Sequence, residues 1–480
     1  MSRLLLFFCL ALMLQFCSSS PETYQNLDFE QTCTDSIFQA CAWKISYQYQ
    51  SDINLESNQG NQYLKIQNRD GVGFVEQSHL FEAAKYERVL HFTADIKLED
   101  ITGNGVSLNL GIYDEDGGFL LNKDFGVYGK LKGSADWSTY SIAAIIPATA
   151  SEVKIGFINY GNGVASFDNS KVAIEDLQAR PSSTFAQAYL QVALDSIRKH
   201  ALYRDSVDLE AIFEKALWIA GDAQSSEEVH LATEYLVKSL NDSHSFFMPA
   251  AARDKWENNN PGSVINYSKA KKVDNFGYLQ VPGFHSNDSL AKIAFADTLR
   301  QQIRTLANQN IGGWIVDLRM NDGGNMHPML AGLEPLFSSD TLGFLVDIQG
   351  EKEAWGRGPA LEKQDGADYI KSTIPISFNS SIPIAVLYGN RTGSSGEIVL
   401  ISFIGNKQTK SFGQASFGLT TGNSEMELPD QSYLFLASTR MADRNGNIFI
   451  GSVQPDFLIK DQDNNPDLTL LAALDWLKNQ

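Results

Sequence analysis

Two regimes of hydrophobic patterning divide the chain. Between residues 24 and 180, apolar and polar residues alternate in short runs. Examples are Tyr63-Leu64-Lys65-Ile66, Val89-Leu90-His91-Phe92-Thr93-Ala94-Asp95-Ile96, Val106-Ser107-Leu108-Asn109-Leu110 and Val153-Lys154-Ile155-Gly156-Phe157. A period of two predicts strands, and the Gly, Asp and Asn residues between the runs predict turns, so this region reads as an all-β sandwich. Pro181-Ser182-Ser183-Thr184 marks a boundary. Beyond it the period lengthens. Ala188-Tyr189-Leu190, Val192-Ala193-Leu194 and Ile197 form one helical face; Leu209, Ile212, Phe213 and Ala216 begin a second; Val229, Leu231-Ala232 and Tyr235-Leu236 form a third. From Gly277 onward strand and helix alternate. Strands are expected at 278–281, 314–318 and 432–436, and helices at 291–308, 329–337 and 469–477. That alternation means α/β.

One stretch stands out within the α/β part. Ile382-Pro383-Ile384-Ala385-Val386-Leu387-Tyr388 reads as a buried strand, and Ile398-Val399-Leu400-Ile401-Ser402-Phe403-Ile404 as the body of a core helix. Between them lies Thr392-Gly393-Ser394-Ser395-Gly396-Glu397, with Glu397 in the first helical turn, where the helix dipole favours an anion. A strand turning sharply into a helix presents one side chain at the sheet edge and aims helix-start amides at the same spot. That suits a serine nucleophile beside an oxyanion site. The same residues also make a plain turn whose serines cap the helix.

Length and composition narrow the setting. At 480 residues two or three domains are expected, and 43% hydrophobic residues suffice for their cores. The net charge of −19 argues against nucleic acid and anionic membrane surfaces as partners. Arg3, the apolar run from Leu4 to Phe16 and Cys17-Ser18-Ser19-Ser20 read as an export signal. The pattern resembles a bacterial lipoprotein signal with Cys17 lipidated, although Phe16 is larger than the residue usual there; plain secretion is the alternative. Membrane attachment is expected only through that anchor. Cys33 and Cys41, close together in an exported chain, are expected either to bridge or to remain as two buried thiols. His285 and His327 have no metal-ligand spacing with any Cys, Asp or Glu run, and neither a metal nor a cofactor is expected.

Four segments in order resemble the tail-specific, or C-terminal processing, proteases, in the branch typified by the tricorn core. They are Leu240-Asn241-Asp242-Ser243-His244-Ser245-Phe246, Gly313 to Asn325 with its Asp322-Gly323-Gly324, the Ser394 stretch, and Gly451-Ser452-Val453-Gln454-Pro455-Asp456. The resemblance covers roughly residues 183–480. It implies a serine endopeptidase acting on extended or unfolded polypeptides, with a crotonase/ClpP-like α/β core at 276–480 and a helical cap at 183–250. Fewer than thirty residues separate Phe247 from Phe276, so the PDZ domain many relatives carry there has no room. Residues 1–17 form the signal. Residues 24–180, from Asn26-Leu27-Asp28-Phe29-Glu30 to Phe167-Asp168-Asn169, resemble jelly-roll modules attached to secreted and carbohydrate-active enzymes. Such modules hold calcium near both ends, making Glu30 and Asp168 candidates beside the simpler reading of surface carboxylates. No aromatic platform motif is evident, so a spacer or docking role is expected rather than sugar binding.

The family pattern also assigns the candidate chemistry. Ser394 matches the nucleophile, Ser395 the residue whose amide serves the oxyanion, and Gly323 and Gly324 the glycine pair that aims a second amide. The lysine base of one branch would fall at Leu419, so that base is missing; Lys407 and Lys410 read as loop charges. His244 matches the histidine base of the other branch, and Ser243 the residue that relays orientation to it. The orienting acid is absent from Asn447-Ile448-Phe449-Ile450-Gly451. Glu397, Asp443 and Asp456 are substitutes by charge alone, with Asp456 better suited to shaping its turn. Asp317 and Arg319 are expected to pair structurally. The rival to an enzyme is a protein of the same fold with a decayed site, binding a peptide or an apolar ligand.

Overall fold

The computed structural model describes residues 24–33, 38, 40–81, 85–257, 265–286, 288–356, 373–374, 382–406, 408–460 and 467–480, apart from the side chains at 127–128. Cys17 and Lys407 lie outside the described residues. The chain divides into two compact units, Met1–Asp176 and Leu177–Gln480.

The first unit is built from β1 (Lys44–Asn58), β2 (Asn61–Leu80), β3 (Arg88–Tyr113), β4 (Phe119–Lys123), a single turn α1 (Gly126–Gly129), β5 (Leu131–Ile146) and β6 (Glu152–Asp176). They form a six-stranded antiparallel sheet in the order β1-β2-β6-β3-β4, with β5 also on β3. β3 and β6 are long enough to pair twice. Arg88 to Glu99 runs beside Asp176 to Val164, and Val106 to Tyr113 beside Asn159 to Glu152. Register shifts separate the two halves, and Gly103 and Gly105 adopt φ of 72° and 84° there. Such bulges bend the strands. Alternate residues of both halves, Phe92 and Ile96 from one, Leu108 and Leu110 from the other, then meet in one core with Phe157 and Phe167. Cys33 and Cys41 are bridged, with Cα atoms 5.1 Å apart. Asp168 is buried and accepts from Asn61 Nδ2 and its neighbour's amide, both at 2.7 Å. Glu30 accepts from the Gln62 amide at 2.7 Å. Among the described residues, no cluster of three or more His, Cys, Asp or Glu could hold a metal.

The second unit opens with three helices, α2 (Thr184–His200), α3 (Leu209–Ala220) and α4 (Ser226–Lys238). Ser183, Asp208 and Ser225 cap them, the last in a capping box with Glu228. There follow β7 (Phe246–Met248), α5 (Ala250–Glu257), β8 (Lys269–Val273), β9 (Phe276–Gln280), α6 (Ser289–Ala307), β10 (Trp314–Asp317), α7 (Met326–Leu333), β11 (Thr341–Asp347) and β12 (Lys352–Gly356). The unit closes with β13 (Ile384–Tyr388), α8 (Ser395–Ile401), β14 (Thr409–Gly413), β15 (Thr421–Glu427), β16 (Tyr433–Asp443), β17 (Phe457–Leu458) and α9 (Leu468–Lys478).

Two sheets organise these elements. One has the order β17-β14-β13-β10-β9-β8, parallel except for its edge strand β8. Its central strands are apolar on both faces because both are covered. Trp314, Val316, Ile384 and Val386 face one core, while Ile315, Ala385 and Leu387 face another that includes Ala473, Leu474 and Leu477 of α9. The other sheet runs β12-β11-β16-β15 and takes β7 onto β16. Lys410 sits on β14, not in a loop, and pairs with Asp456 at 2.9 Å. Arg319 pairs with the buried Asp317 at 2.6 Å and with Asp467 at 2.8 Å. Among the described residues, no helix is long and apolar enough to cross a membrane.

Candidate active site

The parallel sheet supplies one half of the site. β10 and β13 are neighbours in register from Trp314↔Ile384 to Asp317↔Leu387, so the loops leaving both strands emerge side by side. Ligand sites of open parallel sheets lie at such strand ends. Thr392 ties the two loops together, its hydroxyl donating to Leu318 O at 2.8 Å. The buried Asn321 does the same from the other side. Its carbonyl accepts from Gly393 N at 3.2 Å, and its Oδ1 accepts from Gly323 N at 3.1 Å. Gly396 packs so closely that a Cβ there would stand 2.4 Å from Asn321 O.

Ser394 sits at the turn itself, with φ 52° and ψ −122°, a conformation rare for a residue with a side chain. Glu397 holds it there. This fully buried carboxylate accepts from Ser394 N at 2.9 Å, Ser416 Oγ at 2.5 Å and Gly418 N at 2.9 Å. Burial holds its pKa above the ordinary carboxylate value, and these donors offset only part of that rise.

The antiparallel sheet supplies the other half. His244 lies just before β7, which pairs with β16 through Phe246↔Phe435. Three contacts fix its backbone: His244 N donates to Asp242 Oδ1, Asn423 Nδ2 donates to His244 O, both at 2.9 Å, and the next residue, Ser245, accepts from Ala437 N at 2.9 Å. The ring then bridges the halves. Its Nε2 is 2.9 Å from Ser394 Oγ, and its Nδ1 is 2.7 Å from Thr421 Oγ1. With the proton on Nδ1 donated to Thr421, Nε2 is left to accept from the serine hydroxyl. Burial pushes the His244 pKa below its ordinary value, while the Asp242 carboxylate and Thr421 pull it upward. Asp242 Oδ2 is buried with no hydrogen-bond partner among the described residues.

The remaining candidates separate cleanly. Gly323 and Gly324 have φ of 103° and 92°. A Cβ on Gly323 would lie 2.8 Å from Gly393 O and 3.0 Å from Ser394 Cβ, so glycine permits the close approach of the two loops. The Gly323 amide is already held by Asn321, which removes it as an oxyanion donor. Among the described residues, the amides of Gly324 and Ser395 make no hydrogen bond. Ser395 Oγ donates to Gly324 O at 2.5 Å, joining the loops that carry both amides.

Ser243 is exposed, and the hydroxyl on Nδ1 belongs to Thr421. Glu397 faces Ser394 rather than His244. Asp443 accepts within its own turn, from Asn445 N and Asn447 N at 2.9 Å, and Asp456 binds Ser411 and Lys410. None of the three carboxylates meets the histidine ring. Leu419 lies against Gly393, a Cβ on which would be 3.9 Å from Leu419 Cδ1. His285 pairs with Asp322 at 2.9 Å. Thr421 and Asn321 are the residues that sequence reasoning missed. Asn321 lies inside the Gly313 to Asn325 segment, whereas nothing local marks Thr421.

Residues 275–459 match the sequence model of peptidase family S41. The nisin-resistance protein of Lactococcus lactis subsp. lactis is 32% identical over 301 residues, which cover 61% of this chain and 87% of that protein. The chain belongs to peptidase family S41, the C-terminal processing proteases. Carboxyl-terminal-processing peptidase 2 of Arabidopsis thaliana, a chloroplastic protein, is 26% identical over 180 residues, 38% of this chain and 30% of the plant peptidase. Among solved structures, a lipoprotein from Streptococcus agalactiae aligns at 26% identity over 63% of this chain and 98% of that one, with a TM-score of 0.48. As a member of S41 the chain is a serine-type peptide hydrolase by family. The S41 match includes Ser394, Thr421 and both glycines but begins after His244.

Proposed function

We propose that the protein is an exported serine endopeptidase that cleaves extended or unfolded polypeptides, with Ser394 as nucleophile and His244 as base. The supporting observation is the 2.9 Å contact between His244 Nε2 and Ser394 Oγ, two residues 150 positions apart. In this reading His244 takes the serine proton as Oγ attacks the scissile carbonyl carbon. Gly324 and Ser395 amides face the resulting oxyanion. His244 then returns the proton to the departing amine and activates a water to release the acyl group. Thr421 keeps the required tautomer, and the Asp242 carboxylate offsets the charge of the imidazolium. Among the described residues no carboxylate touches Nδ1, so in this reading the site is a dyad oriented by a hydroxyl.

In the same proposal, residues 24–180 form a jelly-roll-like module, 183–250 a helical cap and 276–480 a crotonase/ClpP-like core. The signal at residues 1–17 directs export, and Cys17 carries a lipid that leaves the protein in the cell envelope. The relative named for nisin resistance makes nisin one substrate to test. Fluorophosphonate labelling tests the assignment. Wild type should label, and Ser394→Ala should not. A folded wild type that never labels would favour the decayed, ligand-binding alternative.

A further inference from the structure

We propose that the outer face of the first unit's sheet is a groove that binds a neutral polysaccharide chain. Strand parity creates the face. Val75, Leu108, Leu110, Ile112, Ile155 and Phe157 point into the core, so their neighbours point outward. Those neighbours line a cavity of about 510 Å³ that reaches from β1 to β4. Crossing five strands at about 4.8 Å spacing, it spans about 19 Å, room for several sugar rings rather than one.

Its walls are aromatic. Tyr47 stands opposite Phe74 on one side, and Tyr113 opposite Phe119 on the other. Tyr47 is 55% and Phe119 62% exposed. The floor is made low by glycine. A Cβ on Gly156 would be 2.6 Å from the Phe74 ring, and one on Gly111 would be 3.1 Å from the Tyr113 ring. Rings can therefore lie over the floor where side chains would otherwise fill it.

Polar groups between the rings identify the ligand. Asn109 and Glu76 line the groove and are only 6% and 4% exposed. Asn109 Nδ2 donates to Asn122 Oδ1 at 2.9 Å. Among the described residues, Asn109 Oδ1 and Asn122 Nδ2 have no partner. Glu76 uses Oε1 for Ser46 at 3.0 Å, Lys44 at 3.4 Å and Lys154 at 3.8 Å, and among the described residues Oε2 has no partner. A purely apolar occupant, a lipid or a hydrophobic helix, would strand these groups. A polyanion finds no positive field, because Glu76 stands against the two lysines. A pyranose chain satisfies both sets at once: its C–H faces stack on the rings, and its hydroxyls bond the carboxamides and the carboxylate.

Native gels containing β-glucan, starch, galactan, mannan or xylan test the proposal on the full chain. At least one polymer should slow migration, and calorimetry with its hexaose should give saturable binding. Tyr47→Ala and Phe119→Ala remove exposed rings at little cost to folding, and each should weaken binding about tenfold. Asn109→Ala should weaken it comparably, with Tm reporting that the fold is kept. Hydrolysis of a soluble unfolded polypeptide should be unchanged in all three. The proposal is overturned if folded protein is slowed by none of the five polymers, if removing the rings leaves binding intact, or if the chain binds only phosphatidylcholine vesicles or only an acidic polymer at low salt. The groove lies within one unit, so its failure leaves the hydrolase assignment untouched.

Discussion

The two halves of the proposed active site are assembled by opposite means. The serine half is local. Strand β13, the turn at Thr392–Gly393 and the start of α8 follow one another in the chain, and Glu397 braces Ser394 from three residues away. The histidine half is made by sheet pairing. His244 reaches Ser394 across 150 positions and Thr421 across 177, and both placements depend on β7, β15 and β16 lying in register. A contiguous motif can preset a strained turn. Only a folded sheet can set a distance between residues so remote. The comparison implies that damage to the serine half registers in stability and chemistry together, whereas damage to the histidine half registers in chemistry.

The largest expected effect falls where the halves meet. Ser394→Ala and His244→Ala should each reduce kcat/KM on an unfolded polypeptide by about 10⁴-fold or more, and the double variant should lose little beyond either single one. Additive losses would mean that the two residues do not act as a unit. Next comes Gly324→Val. Its Cβ would stand 2.1 Å from Phe284 O at a φ of 92°, so the loop must shift and the amide with it. A loss of about 10²–10³-fold in kcat is expected, the cost of an oxyanion donor. Near-normal turnover would remove Gly324 from the mechanism.

These effects bear on what could be read from sequence. The strands at 314–317 and 384–388 were legible because both faces are buried and the runs are apolar and β-branched. The serine turn was legible because its small residues are contiguous. The partner of Nδ1 was not. The family pattern points to a carboxylate near residue 450 and a relay at Ser243, but the position is filled by Thr421 on a strand reading Thr-Gly-Asn-Ser-Glu-Met-Glu. That strand has little β-branched or aromatic character, and its placement comes from pairing with the apolar β16. The aromatic face of the first unit was illegible for the same reason, since Tyr47, Phe74, Tyr113 and Phe119 lie on four different strands.

Smaller effects sharpen the contrast between the halves. Glu397→Ala leaves three buried or half-buried donors without their acceptor, and should destabilise the protein by about 3 kcal/mol in urea unfolding. Thr421→Val, with one hydrogen bond to the ring lost, should cost about tenfold in kcat and little stability. Ser243→Ala should stay within about twofold of wild type, because the ring does not use that hydroxyl. If Ser243→Ala were the more damaging of the two, the relay would belong where the family pattern puts it.

The most direct measurement is the rate of fluorophosphonate inactivation as a function of pH, in wild type and in His244→Ala. Burial lowers the His244 pKa, so the ring stays neutral, and able to accept the serine proton, to below its ordinary value of about 6.5. The rate should be flat above that value, fall through a single ionisation below it, and be abolished at every pH in His244→Ala. A rate that keeps rising into alkaline pH, or a His244→Ala variant that still labels at Ser394, would contradict the dyad.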